Sequence, residues 1–398
     1  MRRASAPITF IMLAALLLGT SLFPATSQAT WTSGSEGPLD LPVLNASWVD
    51  PDSSPMLEET PIPGTSSNAM FAVDITSDEV LYKDSADERV APASTLKIIT
   101  ALTTLTALDP DDVIQVSAAD LVDTTVYSNA QLLADDEVTV EDLLAGLMLP
   151  SGGDAANALA RVAGGVIGPA PGQSPLDRFV EEMNAIAESI GMTDSNFVNP
   201  DGPDHPEQYT TARDMAVAGA ELLEHELLSE IVESPVWEIT VTGLNARQYT
   251  VENTNLLIGA DRVHGIKTGT TGEAGQSIVL ATRRGDNQII SVVMGSEGRY
   301  VDIETLMGHL DDQIRWVEFG ASDDFPLVQQ AQDRHRFAFL DEFTVPMLRD
   351  DIGEVTAEYE VGALRNPALP LRWGVVVFLE RDEELYRVPL FRTFDSQN

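Results

Sequence analysis

The sequence predicts a mixed α/β protein in which an antiparallel sheet is flanked by helices and followed by a small all-β domain. Apolar runs separated by short polar turns occur near both ends of the first 320 residues, and such runs indicate paired strands. Segments between them repeat apolar residues every three or four positions, as buried helices do. From about Arg334 onward, short apolar runs alternate with acidic or proline-bearing turns. The chain is therefore long enough for two domains.

The N-terminal segment has the features of a secretory signal. A basic start at Arg2 and Arg3 precedes an apolar stretch over residues 8–23, with small residues at Ser27 and Ala29. This stretch is shorter than the roughly 20 apolar residues of a spanning helix. We expect residues 1–29 to be a signal peptide cleaved after Ala29, and the protein to be exported to the periplasm or another extracytoplasmic location.

Residues 30–66 are rich in Pro, Ser, Gly and acidic side chains, so they are expected to form a flexible leader. A catalytic domain is predicted over residues 67–325, starting with a hairpin of strands at 70–75 and 80–82. A helix is expected to open at about Ser94. Further helices are predicted at 140–148, 154–163, 175–190, 212–228 and 303–319, and strands at 262–269, 276–282 and 288–294. The β-rich domain is predicted over residues 334–396, with strands at 337–340, 355–361, 374–379 and 385–391.

The charge balance excludes several classes of function. The chain has 63 acidic and 23 basic side chains, a formal net charge of −40, so nucleic acid or an anionic membrane would not bind by bulk electrostatics. Because 43 % of the residues are hydrophobic, the acids must coat a folded surface. We hypothesise adaptation to high salt, which a melting temperature that rises between about 0.1 M and about 3 M KCl would support. The chain has no cysteine, and its five histidines show no ligand spacing, so neither disulfides, a metal nor a cofactor is predicted.

Lysine is rare in this chain, and two of its three lysines lie in motifs that can carry chemistry. Lys97 ends a Ser-x-x-Lys motif that begins at Ser94, and Lys267 starts a Lys-Thr-Gly motif. At a helix start, this spacing puts the hydroxyl of Ser94 and the amine of Lys97 on one face. A lysine can activate a serine if burial and a nearby cation lower its pKa. We predict Ser94 as nucleophile, Lys97 as base and Lys267 as that cation, and assign no task to Lys83.

These two motifs and Ser151 resemble the three-motif set of penicillin-binding proteins and serine β-lactamases. The closer likeness is to low-molecular-mass D-alanyl-D-alanine carboxypeptidases, with a DD-peptidase/β-lactamase-like catalytic domain and a small C-terminal β domain. It is carried by PASTLK at 92–97, MN at 183–184, IGM at 190–192, FVNPDG at 197–202, TARDM at 211–215, NTNLL at 253–257, GIKTG at 265–269 and YRVPL at 386–390.

The resemblance implies acyl transfer through an ester on Ser94, with peptidoglycan stem peptides as substrate and β-lactam antibiotics as inhibitors. Lys97 would take the proton of Ser94, and Ser151 would relay a proton to the leaving D-alanine. Lys267 and Thr268 would hold the substrate carboxylate, and the backbone N–H groups of Ser94 and Thr270 would form the oxyanion hole. The C-terminal β domain could add a peripheral contact with the membrane or cell wall.

Three positions leave the site's pattern open. The family's second motif is usually Ser-x-Asn, whereas this chain has Gly153 in the third place, so Asp154 or Asn157 would have to compensate from another spacing. Ser151 has a second interpretation as the cap of the helix at Asp154. Arg299 is either a further contact for the substrate carboxylate or a surface arginine.

Three other functions compete with the carboxypeptidase. A D,D-endopeptidase shares every motif. A β-lactamase of the class with these motifs needs a general-base glutamate, and no convincing match for it lies between Ser151 and Lys267. A non-catalytic cell-wall binding protein would explain Gly153 but not the retained Ser94 and Lys97.

Overall fold

The structure is a computed structural model that describes residues 46–260, 262–319, 337–339, 343–349, 355–363, 372–380 and 383–392. The signal peptide predicted over residues 1–29 and the first part of the predicted leader lie outside the described residues. The helices are α1 (Lys97–Leu105), α2 (Val140–Met148), α3 (Gly153–Ile167), α4 (Pro175–Ile190), α5 (Ala212–Leu223), α6 (Glu226–Glu233) and α7 (Arg299–Gln313).

The strands comprise a central group, two short hairpins and a C-terminal group. They are β1 (Ala69–Asp74), β2 (Glu79–Asp84), β3 (Val113–Gln115), β4 (Glu137–Thr139), β5 (Val236–Val241), β6 (Arg247–Glu252), β7 (Val263–Thr271), β8 (Gly275–Arg284), β9 (Asn287–Ser296), β10 (Ile314–Phe319), β11 (Phe337–Phe339), β12 (Phe343–Leu348), β13 (Val355–Ala363), β14 (Arg372–Glu380) and β15 (Glu383–Arg392).

The central sheet has five antiparallel strands in the order β2-β1-β9-β8-β7 and is buried on both faces. Alternate residues of one strand enter different cores, because successive side chains point to opposite faces. Phe71 and Val292 pack with the helical core, whereas Met70 and Val293 pack with residues of α7. This double burial explains why the strands appear in the sequence as continuous apolar runs, and it places β7 at the sheet edge.

Two of the predicted helices are wrong in extent. The helix predicted at 212–228 is interrupted at His225, which is extended and precedes α6. The helix predicted at 303–319 stops at Gln313, and the last six residues form β10, which pairs with β12. Ile314 and Val317 are buried while Arg315 between them is exposed, so this segment is stabilised by strand pairing and burial. The two-stranded sheets β3–β4 and β5–β6 were not predicted.

Residues 46–66 differ from the expected flexible leader, because they pack on the sheet and on α5. Trp48 is buried and lies 6.2 Å from Phe71 between ring centroids. Nη1 of Arg213 donates to the backbone O of Trp48 at 2.6 Å. Nζ of Lys83 donates to the backbone O of Ser53 at 3.0 Å and forms an ion pair with Glu59. Lys83, to which the sequence assigned no task, thus fixes this segment to β2.

The C-terminal strands form a four-stranded sheet in the order β11-β15-β14-β13. Strands occur near all four predicted positions, and the sequence missed β12. The division into domains at residues 67–325 and 334–396 stays a prediction. Among the described residues, no helix has the length and apolar character needed to cross a bilayer.

Candidate active site

Ser94 lies in a single 3-10 turn, Ala93–Leu96, that leads directly into α1. The spacing of three residues brings the two side chains together, and Nζ of Lys97 donates to Oγ of Ser94 at 2.9 Å. Ser94 is half-buried, while only 2 % of Lys97 is exposed. A nucleophile and a candidate base therefore meet at the start of a buried helix, which is the geometry that proton removal requires.

Burial lowers the pKa of Lys97 to about 8, and the Asp201 and Asp154 carboxylates partly oppose this by favouring the ammonium. The lowered value means that a useful fraction of the amine is neutral near neutral pH. A base works best when its pKa lies close to the working pH. Lys97 can therefore accept the Ser94 proton.

A loop over residues 197–208 lies directly against this pair. Nζ of Lys97 also donates to the backbone O of Asp201, and Oγ1 of Thr100 donates to the backbone O of Pro200 at 2.7 Å. Gly202 has φ +103°, and a Cβ there would lie 2.5 Å from the backbone O of Ala93. Glycine is therefore required for this close approach. Residues 197–202 carry part of the family resemblance, but no role was predicted for Asp201.

Strand β7 brings the third motif against the same turn. A Cβ on Gly269 would lie 2.9 Å from the backbone N of Ser94, so the strand can approach this closely only with glycine at that position. Oγ1 of Thr268 shares a hydrogen bond of 2.9 Å with Oγ1 of Thr254. Lys267 is buried, and its Nζ donates to the backbone O of Thr268 at 3.1 Å. The first and third motifs therefore form one site.

Three cationic groups are concentrated in this site although the chain is strongly acidic. Burial lowers the pKa of Lys267 well below its usual range, and the positive charges of Lys97 and Arg299 lower it further. Groups that oppose each other's protonation in this way favour a bound anion, which would remove the repulsion. The arrangement suits a ligand carboxylate.

Arg299 is a buried part of this site, so its interpretation as a surface arginine is wrong. Its Nη1 donates to the backbone O atoms of Gly269 and Ser277, each at 2.8 Å, and its Nη2 donates to Oγ1 of Thr270. Burial lowers the pKa of Arg299. Its position at the start of α7, next to the end of β7, explains how a residue 30 positions from Gly269 reaches the motif.

Ser151 lies in the turn between α2 and α3 with an unusual backbone φ of +63°. Its Oγ is buried and has no hydrogen-bond partner among the residues that the structure describes. The cap of α3 is Gly152, with no side-chain bond, so the interpretation of Ser151 as a helix cap is wrong. A buried unpaired hydroxyl is costly, and such groups in native structures call for an explanation such as a bound ligand or a catalytic role.

Both residues proposed to compensate for Gly153 make hydrogen bonds elsewhere. The Asp154 carboxylate accepts from the backbone N atoms of Ala130, at 2.7 Å, and Leu132, at 3.1 Å. The amide of Asn157 donates to the backbone O of Asp120 at 3.1 Å. Both side chains are therefore committed to the segment that precedes β4.

The sequence matches a family model and several curated proteins. A sequence model described as D-alanyl-D-alanine carboxypeptidase matches residues 56–298. The chain is 32 % identical to D-alanyl-D-alanine carboxypeptidase DacF of Bacillus subtilis over 225 residues, 55 % of this chain and 54 % of DacF. It is 33 % identical to DacC of Escherichia coli over 249 residues, 59 % of this chain and 58 % of DacC. The alignments thus span little more than half of these relatives.

A solved structure also matches. The crystal structure of the Streptomyces K15 DD-transpeptidase aligns with a TM-score of 0.58 and 29 % identity, covering 63 % of this chain and 98 % of that one. The predicted fold class, an antiparallel sheet flanked by helices as in DD-peptidases, is confirmed.

Proposed function

Because the chain belongs to the D-alanyl-D-alanine carboxypeptidase family, we propose that it removes the terminal D-alanine from peptidoglycan stem pentapeptides. The observation that carries the proposal is the buried amine of Lys97, with a pKa lowered to about 8, lying 2.9 Å from Oγ of Ser94. A serine hydroxyl becomes an effective nucleophile only when such a base takes its proton.

In the acylation step, Oγ of Ser94 attacks the carbonyl carbon between the two terminal D-alanines while Lys97 accepts the hydroxyl proton. The negative charge that develops on the carbonyl oxygen would be held by the backbone N–H groups of Ser94 and Thr270. The C–N bond then breaks as Ser151 gives its proton to the leaving amine and takes in exchange the proton that Lys97 received from Ser94. The unpaired, buried Oγ of Ser151 supports this relay, since the hydroxyl is not committed to another bond.

The substrate's terminal carboxylate would bind the β7 side of the site. Lys267 supplies the charge, and Thr268 and Thr270 supply hydroxyls next to it. Arg299 adds a second charge and fixes Thr270 through its Nη2. A carboxylate bound here would raise the lowered pKa of Lys267, so binding and protonation of this lysine favour each other.

Deacylation completes the cycle. Water attacks the ester on Ser94, releases the shortened peptide and restores the hydroxyl. A β-lactam would acylate Ser94 by opening of its ring and leave the site only slowly. Since the substrate is part of the cell wall, the protein would be exported to the periplasm or another extracytoplasmic location, with the C-terminal strands as a candidate contact with wall or membrane.

The test uses the mature protein with a fluorescent penicillin and, separately, a peptide ending in D-Ala-D-Ala. We expect stable labelling together with release of D-alanine. Ser94→Ala should abolish both, whereas Ser229→Ala on α6 should change neither. Fast turnover of penicillin would instead identify a β-lactamase, cleavage of crosslinked peptides a D,D-endopeptidase, and the absence of both labelling and release a binding protein.

A further inference from the structure

We propose that Asp201 is a positioning residue for Lys97, and that its carboxylate occupies the place that a side chain at position 153 would fill. This inference rests on the proposed acyl transfer at Ser94. It extends that function by assigning a task to the 197–208 loop and by explaining why the second motif tolerates glycine.

The loop is held rigidly where it meets the site. The backbone N of Gly202 donates to Oδ1 of Asn199 at 2.8 Å, and Nε2 of Gln208 donates to the backbone O of Pro203 at 2.9 Å. Beyond Asp201, the Asp204 carboxylate accepts from Oγ1 of Thr271 and from the backbone N of Glu273 at 3.1 Å. The loop thus connects the first motif to the end of β7, and Asp201 cannot move far from Lys97.

The carboxylate of Asp201 also lies at the second motif. A Cβ on Gly153 would be 3.4 Å from Oδ2 of Asp201 and 3.2 Å from Cγ1 of Val122. The Cβ alone would need only a small shift of Val122. The outer atoms of an asparagine would have to share this space with the Asp201 carboxylate. The size of the side chain at position 153 therefore depends on the residue at position 201, and we call these two positions the matched pair.

The charges around Lys97 give this arrangement a chemical consequence. The carboxylates of Asp201 and Asp154 raise the pKa of Lys97 against the effect of burial, and the charges of Lys97 and Arg299 lower the pKa of Lys267. The Asp154 carboxylate accepts three backbone N–H groups, including its neighbour Ala155 at 2.9 Å, whereas the Asp201 carboxylate has no comparable set among the described residues. Asp201 is therefore the anion free to respond when Lys97 becomes charged.

During acylation Lys97 gains the proton of Ser94 and becomes an ammonium in a buried site. The Asp201 carboxylate, on a residue whose backbone O accepts from Nζ of Lys97, stabilises that charge as it forms. In relatives with the usual motif, a neutral asparagine amide would stand here. Asp201 differs because it supplies charge as well as a polar contact, and this difference is measurable in the pH dependence.

The test measures the rate of Ser94 acylation by a fluorescent penicillin between pH 5 and pH 10. Asp201→Asn keeps the shape of the side chain and removes its charge. We expect the plateau rate to fall roughly tenfold, and the acid limb to move to lower pH because Lys97 loses the carboxylate that raises its pKa. Asp201→Glu should restore part of the rate. Asp312→Asn, on the exposed side of α7, also removes one negative charge and should change neither the plateau rate nor the position of the acid limb.

A double-mutant cycle tests the matched pair. Gly153→Asn should lower the rate in the wild-type background and raise it in Asp201→Ala, because only there is the space free. An Asp201→Asn profile that matches the wild-type profile would overturn the inference, and so would an equal effect of Gly153→Asn in both backgrounds. Failure of the wild-type protein to label at all would instead reject the proposed function. Melting curves of each variant separate loss of rate from loss of fold.

Discussion

Strand β7 and the turn between α2 and α3 contribute to the same site in opposite ways. On β7, the hydroxyl of Thr268 is paired with Thr254, and Lys267 donates to a backbone carbonyl. In the turn, Oγ of Ser151 is buried without a partner among the described residues. The two regions therefore differ in how their polar groups are satisfied: those on β7 are hydrogen-bonded, whereas the turn holds a buried hydroxyl that the proposed proton relay would use.

Among changes that leave Ser94 and Lys97 in place, removal of the turn's hydroxyl should have the largest effect on rate. We expect Ser151→Ala to slow acylation by roughly 10³-fold, within the range of general acid–base catalysis. The melting temperature should stay the same or rise, because the lost hydroxyl makes no hydrogen bond with any residue that the structure describes. Thr268→Val is the matched change on β7 and should cost about 1 kcal/mol of stability by leaving Thr254 unpaired. Labelling kinetics and thermal melts check both. If Ser151→Ala and Thr268→Val lowered stability equally, the hydroxyls of the two regions would not differ in their pairing.

Gly269→Ala should disturb the site through backbone position alone. Its Cβ would lie 2.9 Å from the backbone N of Ser94 and 3.0 Å from that of Thr95, so β7 or the 3-10 turn must shift. Misplacement of this kind costs roughly 10²-fold in rate. Acylation rate and melting temperature should both fall. A rate within threefold of wild type would show that the close approach is not required.

Lowering the pH should protonate Lys97 and thereby slow acylation. Since burial lowers its pKa to about 8, the acylation rate should fall about tenfold per pH unit below that value as the amine is protonated. Stability should also decrease as the pH falls. The unfolded chain binds this proton more tightly than the folded protein, so the free energy of unfolding rises with pH between about 8 and 10.5. Lys97→Met should abolish the activity and this part of the pH dependence of stability. An acid limb centred well away from pH 8 would contradict the assignment of the base.

The smallest effect is expected from Gly153→Ala. The new Cβ would meet the side-chain atoms Cγ1 of Val122 at 3.2 Å and Oδ2 of Asp201 at 3.4 Å, and side chains can yield where the backbone at Gly269 cannot. We expect an acylation rate within about threefold of wild type. If this variant were as impaired as Gly269→Ala, the turn would be as rigidly constrained as β7.

Some elements were fully encoded in local sequence. Helices α2 and α4 have the predicted bounds, and α4 has its cap at Ser174 and a left-handed glycine at Gly191. Both signals act within one or two turns of the chain, so no distant contact can overrule them easily. Strand β10 lacked such signals, and pairing with the distant β12 decided its conformation.

The sequence by itself determined the chemistry that the chain can carry. Ser94 and Lys97 are three residues apart on a helix start, so their contact is a consequence of helical geometry. Only the tertiary structure decided the burial and the neighbouring charges that set the pKa of Lys97. Asp201 reaches Lys97 across 104 positions and Arg299 reaches Gly269 across 30, and residues 46–66 pack against α5 through Arg213. Burial and charge at a site depend on which remote segments fold together, and those contacts leave no periodic trace in the sequence.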